Sequence, residues 1–183
     1  MALKRLAIDG YGQLELNNVT FRRDGRIEAQ CALDAKDFAD KPAENGMILA
    51  IDNITRTVKL PKDNTLPVAL NYSTEHMYDD RAAALKDFAT PLDSFYPRLG
   101  YLAVGEKFTT NTIAYDDSDF TNDEALVTAL KDVKTTKLYG GTCENGAIKI
   151  TKTAPAEGIQ LLVVKYFTMP DGTPGVKFQV IKA

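Results

Sequence analysis

The chain is predicted to be mainly β (α+β), with antiparallel sheets in a β-sandwich-like arrangement built from hairpins, plus two short helices. Three observations carry that prediction. Asn or Asp precedes Gly at Asp24-Gly25, Asn45-Gly46, Asn145-Gly146 and Asp171-Gly172. Such pairs tolerate the positive φ that a tight hairpin turn demands. Apolar and polar residues alternate on either side of several of these turns, as in half-buried antiparallel strands. Only two stretches carry the 3.6-residue spacing of an amphipathic helix.

The elements follow in order. Residues 5–33 read as strand, turn, strand, turn, strand. Leu14 and Leu16 alternate with polar neighbours, Val19-Thr20-Phe21 leads to Asp24-Gly25, and Ile27, Ala29, Cys31 and Leu33 share an inward face. Residues 34–46 form a polar loop that Asn45-Gly46 ends, so this pair launches a strand and closes no hairpin. Met47–Ile51 is a buried strand, turned at Asp52-Asn53 and returned by Thr55–Leu60 until Pro61 stops it. Leu6-Ala7-Ile8-Asp9-Gly10 echoes Leu49-Ala50-Ile51-Asp52-Asn53, which suggests two hairpins of similar design. Val68–Tyr72 is a short strand.

Tyr78, Ala82, Leu85 and Ala89 share a helical face, and Pro91 ends that helix. Residues 90–98 form an aromatic, proline-bearing loop, Tyr101–Val104 a strand, and residues 105–120 a further surface loop. Thr121 and Glu124 match a capping box, and Ala125, Leu126, Ala129, Leu130 and Val133 form the stripe of the second helix. Two hairpins complete the chain: 137–153 around Asn145-Gly146, and 159–181 around Asp171-Gly172. The apolar run Leu161-Leu162-Val163-Val164 predicts a strand covered on both faces. One compact domain over residues 1–183 is expected, with any subdivision near 62–67 or 105–120.

Composition narrows the function classes. The 183 residues are 44% hydrophobic and 26% charged, with a formal net charge of −3. Lys4-Arg5 and Arg22-Arg23 are the only adjacent basic pairs, whereas a nucleic-acid surface needs clustered basic charge. No nucleic-acid partner is expected. No apolar run reaches the roughly 18 residues of a membrane span. Two cysteines, Cys31 and Cys143, without a CxxC pattern or an apolar leader after Met1, fit synthesis in a reducing cytoplasm. Cys31 reads as a small core residue.

No catalytic constellation is apparent. His76 is the only histidine, and no nucleophile elbow accompanies it. One His and two distant Cys exclude a structural zinc site. The acidic run from Asp116 to Glu124 offers oxygens, with Asp117, Asp119 and Asp123 the candidate cation ligands. Counted from Asp117, it departs from the calcium-loop pattern at the sixth position, Asn122 in place of Gly, and at the twelfth, Thr128 in place of Glu. No cofactor is expected: Gly10-Tyr11-Gly12 and Gly140-Gly141 lack phosphate-loop context and read as turn glycines. Phe95, Tyr96, Arg98 and Tyr101 form the candidate interaction cluster, since aromatics and Arg dominate interface hot spots.

Several stretches together resemble structural proteins of tailed-bacteriophage virions, in particular capsid decoration or auxiliary head proteins. They are Gly46–Asp52, Val58-Lys59-Leu60-Pro61, Leu70-Asn71-Tyr72-Ser73, Tyr96-Pro97-Arg98-Leu99-Gly100-Tyr101, Val104–Asn111 and the terminal hairpin. The resemblance implies a non-enzymatic, oligomeric virion component, made in the host cytoplasm, that binds the major coat protein or itself. Two alternatives stand beside it. One is a carbohydrate- or receptor-binding β-module of a tail or fibre, using Tyr96 and Tyr101. The other is a carboxylate-dependent hydrolase using Asp116, Asp117 or Asp119.

Overall fold

The computed structural model describes residues 2–62, 64–73, 85–93, 96–170 and 172–183. The chain is mainly β, as expected. In order the strands are β1 (Leu3–Arg5), β2 (Leu14–Glu15), β3 (Ile27–Glu28), β4 (Ala32–Leu33), β5 (Ala43–Glu44), β6 (Ile48–Asp52), β7 (Thr57–Lys59) and β8 (Val68–Asn71). There follow β9 (Ala89–Thr90), β10 (Leu99–Gly100), β11 (Lys107–Thr110), β12 (Ile113–Asp116), the helix α1 (Asp123–Lys131), β13 (Tyr139–Thr142), β14 (Ile148–Thr151), β15 (Gln160–Thr168) and β16 (Pro174–Lys182).

Two sheets carry the fold. The larger runs β1-β12-β14-β13-β15-β16-β11-β2, the smaller β3-β10-β8-β6-β7-β4, and β5 pairs with β9 alone. Most pairs are antiparallel; β12–β14 and β4–β7 are parallel. The inner face of the large sheet (Phe108, Ile148, Leu161, Phe178) meets Leu126 and Leu130 of α1 and Ile48 and Leu70 of the small sheet in one core. The opposite face of the small sheet (Leu49, Ile51, Val58, Ala69) is covered by Cys31, Leu33, Phe38 and Met47 in a second core. The small sheet is thus buried on both sides, while the outer face of the large sheet meets solvent. Cys31 is a core residue, 3% exposed.

Of the three hairpins predicted at Asx-Gly pairs two form, β13–β14 around Asn145-Gly146 and β15–β16 around residues 169–173, and the one predicted at Asp52-Asn53 forms as β6–β7. Asp171 lies outside the described residues, and Gly172 has φ +88°. The Asp24-Gly25 hairpin does not form. Residues 20–25 coil into a turn in which the Asp24 N–H donates to the Thr20 carbonyl at 2.9 Å and that of Arg26 to Phe21 at 2.9 Å. Phe21 plugs the core at 0% exposure, its ring tilted 43° to that of Tyr72 with centroids 4.7 Å apart. The strand after the turn pairs elsewhere: β3 joins β10, and β4 joins β7. Ile27 is therefore 41% exposed rather than inward.

Other expectations are corrected. Residues 105–120 are not a surface loop but contain β11 and β12, in the interior of the large sheet. Thr109, Thr110, Asn111 and Thr112 are wholly buried, which their hydrogen bonds permit. Thr110 donates to the Gln13 carbonyl at 2.6 Å, Thr112 to that of Asn45 at 2.5 Å, and the Gln13 N–H donates to Asn111 Oδ1 at 2.7 Å. Residues 34–46 likewise end in a buried stretch, Ala43–Gly46.

One α-helix is present among the described residues. Residues 78–84 of the other predicted helix lie outside them; Leu85–Asp87 is a 3-10 turn, and Ala89–Thr90 is a strand. The N-cap of α1 is Asn122, whose side chain accepts from Ala125 N–H at 2.8 Å; an Asx side chain reaches that donor as well as the hydroxyl expected at Thr121 does. Strand residues Leu99–Gly100 replace the predicted 101–104. Gly140 and Gly141 lie in β13, where an added Cβ would stand 2.8 Å from Ile148 and 2.6 Å from Pro155. Leu6–Gly10 forms no strand matching β6. Val164 is 37% exposed, so its strand is not covered on both faces. It is the extra residue where the register jumps from Val163–Phe178 to Lys165–Lys177, and a bulge re-aims its residue outward.

Candidate interaction surface

The predicted aromatic cluster does not converge. β10 places Leu99 opposite Asn71 and Gly100 opposite Leu70. Arg98 therefore stands at the Ser73 end of β8, its N–H donating to Ser73 Oγ at 2.9 Å. Tyr101 stands at the other end, its N–H donating to the Arg26 carbonyl at 2.9 Å. With about 3.3 Å of rise per extended residue, Tyr96 and Tyr101 belong to opposite ends of the strand. Tyr96 is 52% exposed, Arg98 is half-buried, and Phe95 lies outside the described residues.

At the Tyr101 end the two sheets part around a groove of about 370 Å³. Its walls are largely apolar: Leu66, Pro67 and Val68 from the small-sheet side, Ile159 from the large-sheet side, and Tyr101 with Leu102 between them. Burial raises the Tyr101 phenol pKa, and the neighbouring Glu28 carboxylate adds to the shift. The phenol is therefore neutral at physiological pH, with the Asn53 side chain hydrogen-bonded to it.

Three exposed apolar side chains are tied to this groove through their neighbours. Ile54, 96% exposed, follows Asn53, which faces the Tyr101 phenol. Its turn is held by Asp52 Oδ1, which accepts from Ile54 N–H at 3.0 Å and Thr55 N–H at 3.1 Å, while Lys59 pairs with Oδ2 at 2.7 Å. The Lys59 hydrogen bond and those of Thr55 hold the Asp52 carboxyl far below its ordinary range. Val104, 67% exposed, sits in a turn braced by Glu106, whose carboxylate accepts from Ala103 N–H and Thr20 N–H, both at 2.8 Å, and pairs with Arg26 at 2.7 Å. Against the cost of burial, those bonds keep the Glu106 carboxyl pKa lowered. Ile181, 37% exposed, precedes the groove residue Lys182 and is the extra residue of a second bulge, between Gln160–Lys182 and Leu161–Val180. Glu106 was missed in the sequence; an isolated acid beside Gly105 was its only signal.

The candidate metal ligands and catalytic acids disperse. Asp116 is buried and pairs with Lys149 and Ser118, which hold its pKa down to about 2. Asp117 pairs with Lys4. Asp119 accepts from the Lys152 N–H at 3.4 Å. Asp123 accepts from the Tyr115 hydroxyl at 2.6 Å and from Ala7 N–H at 3.0 Å, and burial plus that carboxylate push Tyr115 up to about 12. Among the described residues no cluster of three or more His, Cys, Asp or Glu could hold a metal ion, and His76 lies outside them. Burial pushes the Cys143 thiol up to about 12; it donates to Asn145 Oδ1 and to the Ala147 carbonyl, both at 3.0 Å.

The edges of the sheets are short: β1 has three residues, and β2, β3 and β4 two each. Beyond β2, Asn18 caps Lys107, accepting its N–H and donating to its carbonyl. Such edges offer little to an added strand, so surface side chains carry any contact. No helix of the described residues is long and apolar enough to cross a membrane. The fold and this surface define a two-sheet β protein with a grooved apolar end; the chain matches no protein-family model, no curated protein and no solved structure.

Proposed function

We propose that the chain is a non-enzymatic virion structural protein, a capsid decoration or auxiliary head protein that binds the major coat protein or further copies of itself. The observation that supports this reading best is the grooved apolar end. Leu66, Pro67, Tyr101, Leu102 and Ile159 line it, and the exposed Ile54, Val104 and Ile181 each lie within two residues in sequence of a residue that lines the groove or faces Tyr101. A turn that is already braced has less backbone freedom to lose on binding, and an apolar groove with exposed apolar side chains suits contact with protein. The binding role belongs to this end, and the virion assignment rests on the resemblance of the sequence stretches.

Sedimentation tests it. The chain is expected to co-pellet in fixed stoichiometry with assembled particles, and Ile54→Glu combined with Val104→Glu is expected to leave it folded in the supernatant. A monodisperse monomer that never pellets with particles or coat protein would overturn the proposal.

A further inference from the structure

The outer face of the large sheet carries a charge arrangement that its own neighbours do not neutralise. Strand alternation sends Phe108, Val163 and Phe178 inward and their neighbours outward. Across the outer face, Lys107 lies opposite Gln179, Gln179 opposite Leu162, and Leu162 opposite Tyr139. In the next row Lys165 faces Lys177 directly, and Lys177 faces Thr109. Like charges directly opposed on an antiparallel pair cost stability. Lys177 lies 6.0 Å over the Phe167 ring, and among the described residues no carboxylate is ion-paired with Lys107, Lys165 or Lys177. The acid of these rows, Glu15, is beyond Thr109 on the next strand. The bulge turns Val164 out between Leu162 and Lys165.

The result is an apolar centre framed by three lysines, on a chain of net charge −3. We infer that this face is a second docking surface, distinct from the grooved end, for a carboxylate-rich protein surface with an apolar centre. Charge complementarity selects an anionic partner, since carboxylates would relieve the Lys165–Lys177 repulsion. The aliphatic centre and the chain's overall negative charge favour protein over a phosphate polyanion, which needs denser basic charge.

The test uses the full chain and a synthetic glutamate-rich peptide interspersed with Leu and Phe, followed by fluorescence anisotropy at low salt. Binding is expected to weaken as salt rises. Lys165→Glu is expected to weaken it roughly tenfold. The same variant should raise the thermal midpoint by about 2 °C, because the new carboxylate faces Lys177. Lys165→Gln should lose affinity without the new ion pair, which separates charge loss from misfolding. Lys134→Glu, after α1, should leave binding unchanged. The inference fails if the peptide does not bind, or if Lys165→Glu binds as well as the parent. It also fails if single-stranded oligothymidine or phosphatidylglycerol vesicles bind more tightly than the peptide.

Discussion

Gly46 and Gly25 share a backbone conformation and little else. Both follow an Asx residue, and both have positive φ, +80° and +71°. Around Gly25 an added Cβ would meet nothing within 4 Å. At Gly46 it would lie 2.0 Å from Thr110 Oγ1, a hydroxyl already donating to Gln13 and accepting from Thr112. Gly146 is intermediate: its φ is +80°, and an added Cβ would stand 3.1 Å from Leu49 and 3.3 Å from Leu60. Its carbonyl accepts from Ile48 N–H at 2.8 Å, so the tip of a large-sheet hairpin is clamped to the small sheet. The same dipeptide can be a solvent bend, a clamp between sheets, or a buried close approach. An Asx-Gly pair thus reports a local backbone requirement, while its energetic weight comes from what the fold places beside it.

Alanine at the three glycines separates backbone strain from crowding. Gly46→Ala is expected to cost the most, about 3 kcal/mol or more, because strained backbone and a clash with a committed hydroxyl add. Chemical unfolding checks it, and a loss no larger than at Gly25 would show that Thr110 moves aside freely. Gly146→Ala should cost about 2 kcal/mol, since the same positive φ meets side-chain ends that can shift. Gly25→Ala should cost about 1 kcal/mol, the backbone term alone. Equal losses at all three sites would sink the argument that surroundings set the weight.

A pH-dependent effect concerns the outer side of the Asn145-Gly146 hairpin, where Lys149 of β14 pairs with Asp116. Hydrogen bonds from Lys149 and Ser118 lower the folded pKa of Asp116 to about 2 from an ordinary 3.8. A depressed folded pKa means this contribution is complete above 3.8 and is lost as pH falls toward 2. Acid unfolding of Asp116→Asn should therefore be flatter than the parent's over that window, measured by midpoint denaturant at each pH. An unchanged slope would place the acid sensitivity elsewhere.

Much of the fold was legible in local pattern. Alternation in Ile148-Lys149-Ile150, the turn at Asn145-Gly146 and the stripe of Leu126 and Leu130 each describe a short-range event that neighbouring residues settle. Thr109-Thr110-Asn111-Thr112 was not legible, because four polar residues read as a loop. Their burial depends on acceptors and donors at Gln13, Asn45 and Asn17, distant in sequence. Phe108 and Ile113, flanking that run, were the available hint, together with the strand preference of Thr. The aromatic site was half legible: Tyr101 does line a groove, but β10 separates it from Tyr96. Glu106, Ile54 and Val104 escaped notice because a bracing carboxylate and an exposed isoleucine have no sequence motif.

The class of fold, the sites of tight turns, the existence of α1 and the burial of Cys31 are local properties of the chain. Those follow from side-chain periodicity and from positive φ, which act over a few residues. Which strands β3 and β4 join, which polar residues are buried and which apolar ones stay outside are long-range outcomes. Those outcomes depend on pairing and hydrogen-bond satisfaction between segments far apart in the chain, so no local pattern contains them. The bulges at Val164 and Ile181 state the point most simply: each is one extra residue in a ladder, visible only when its partner strand is known.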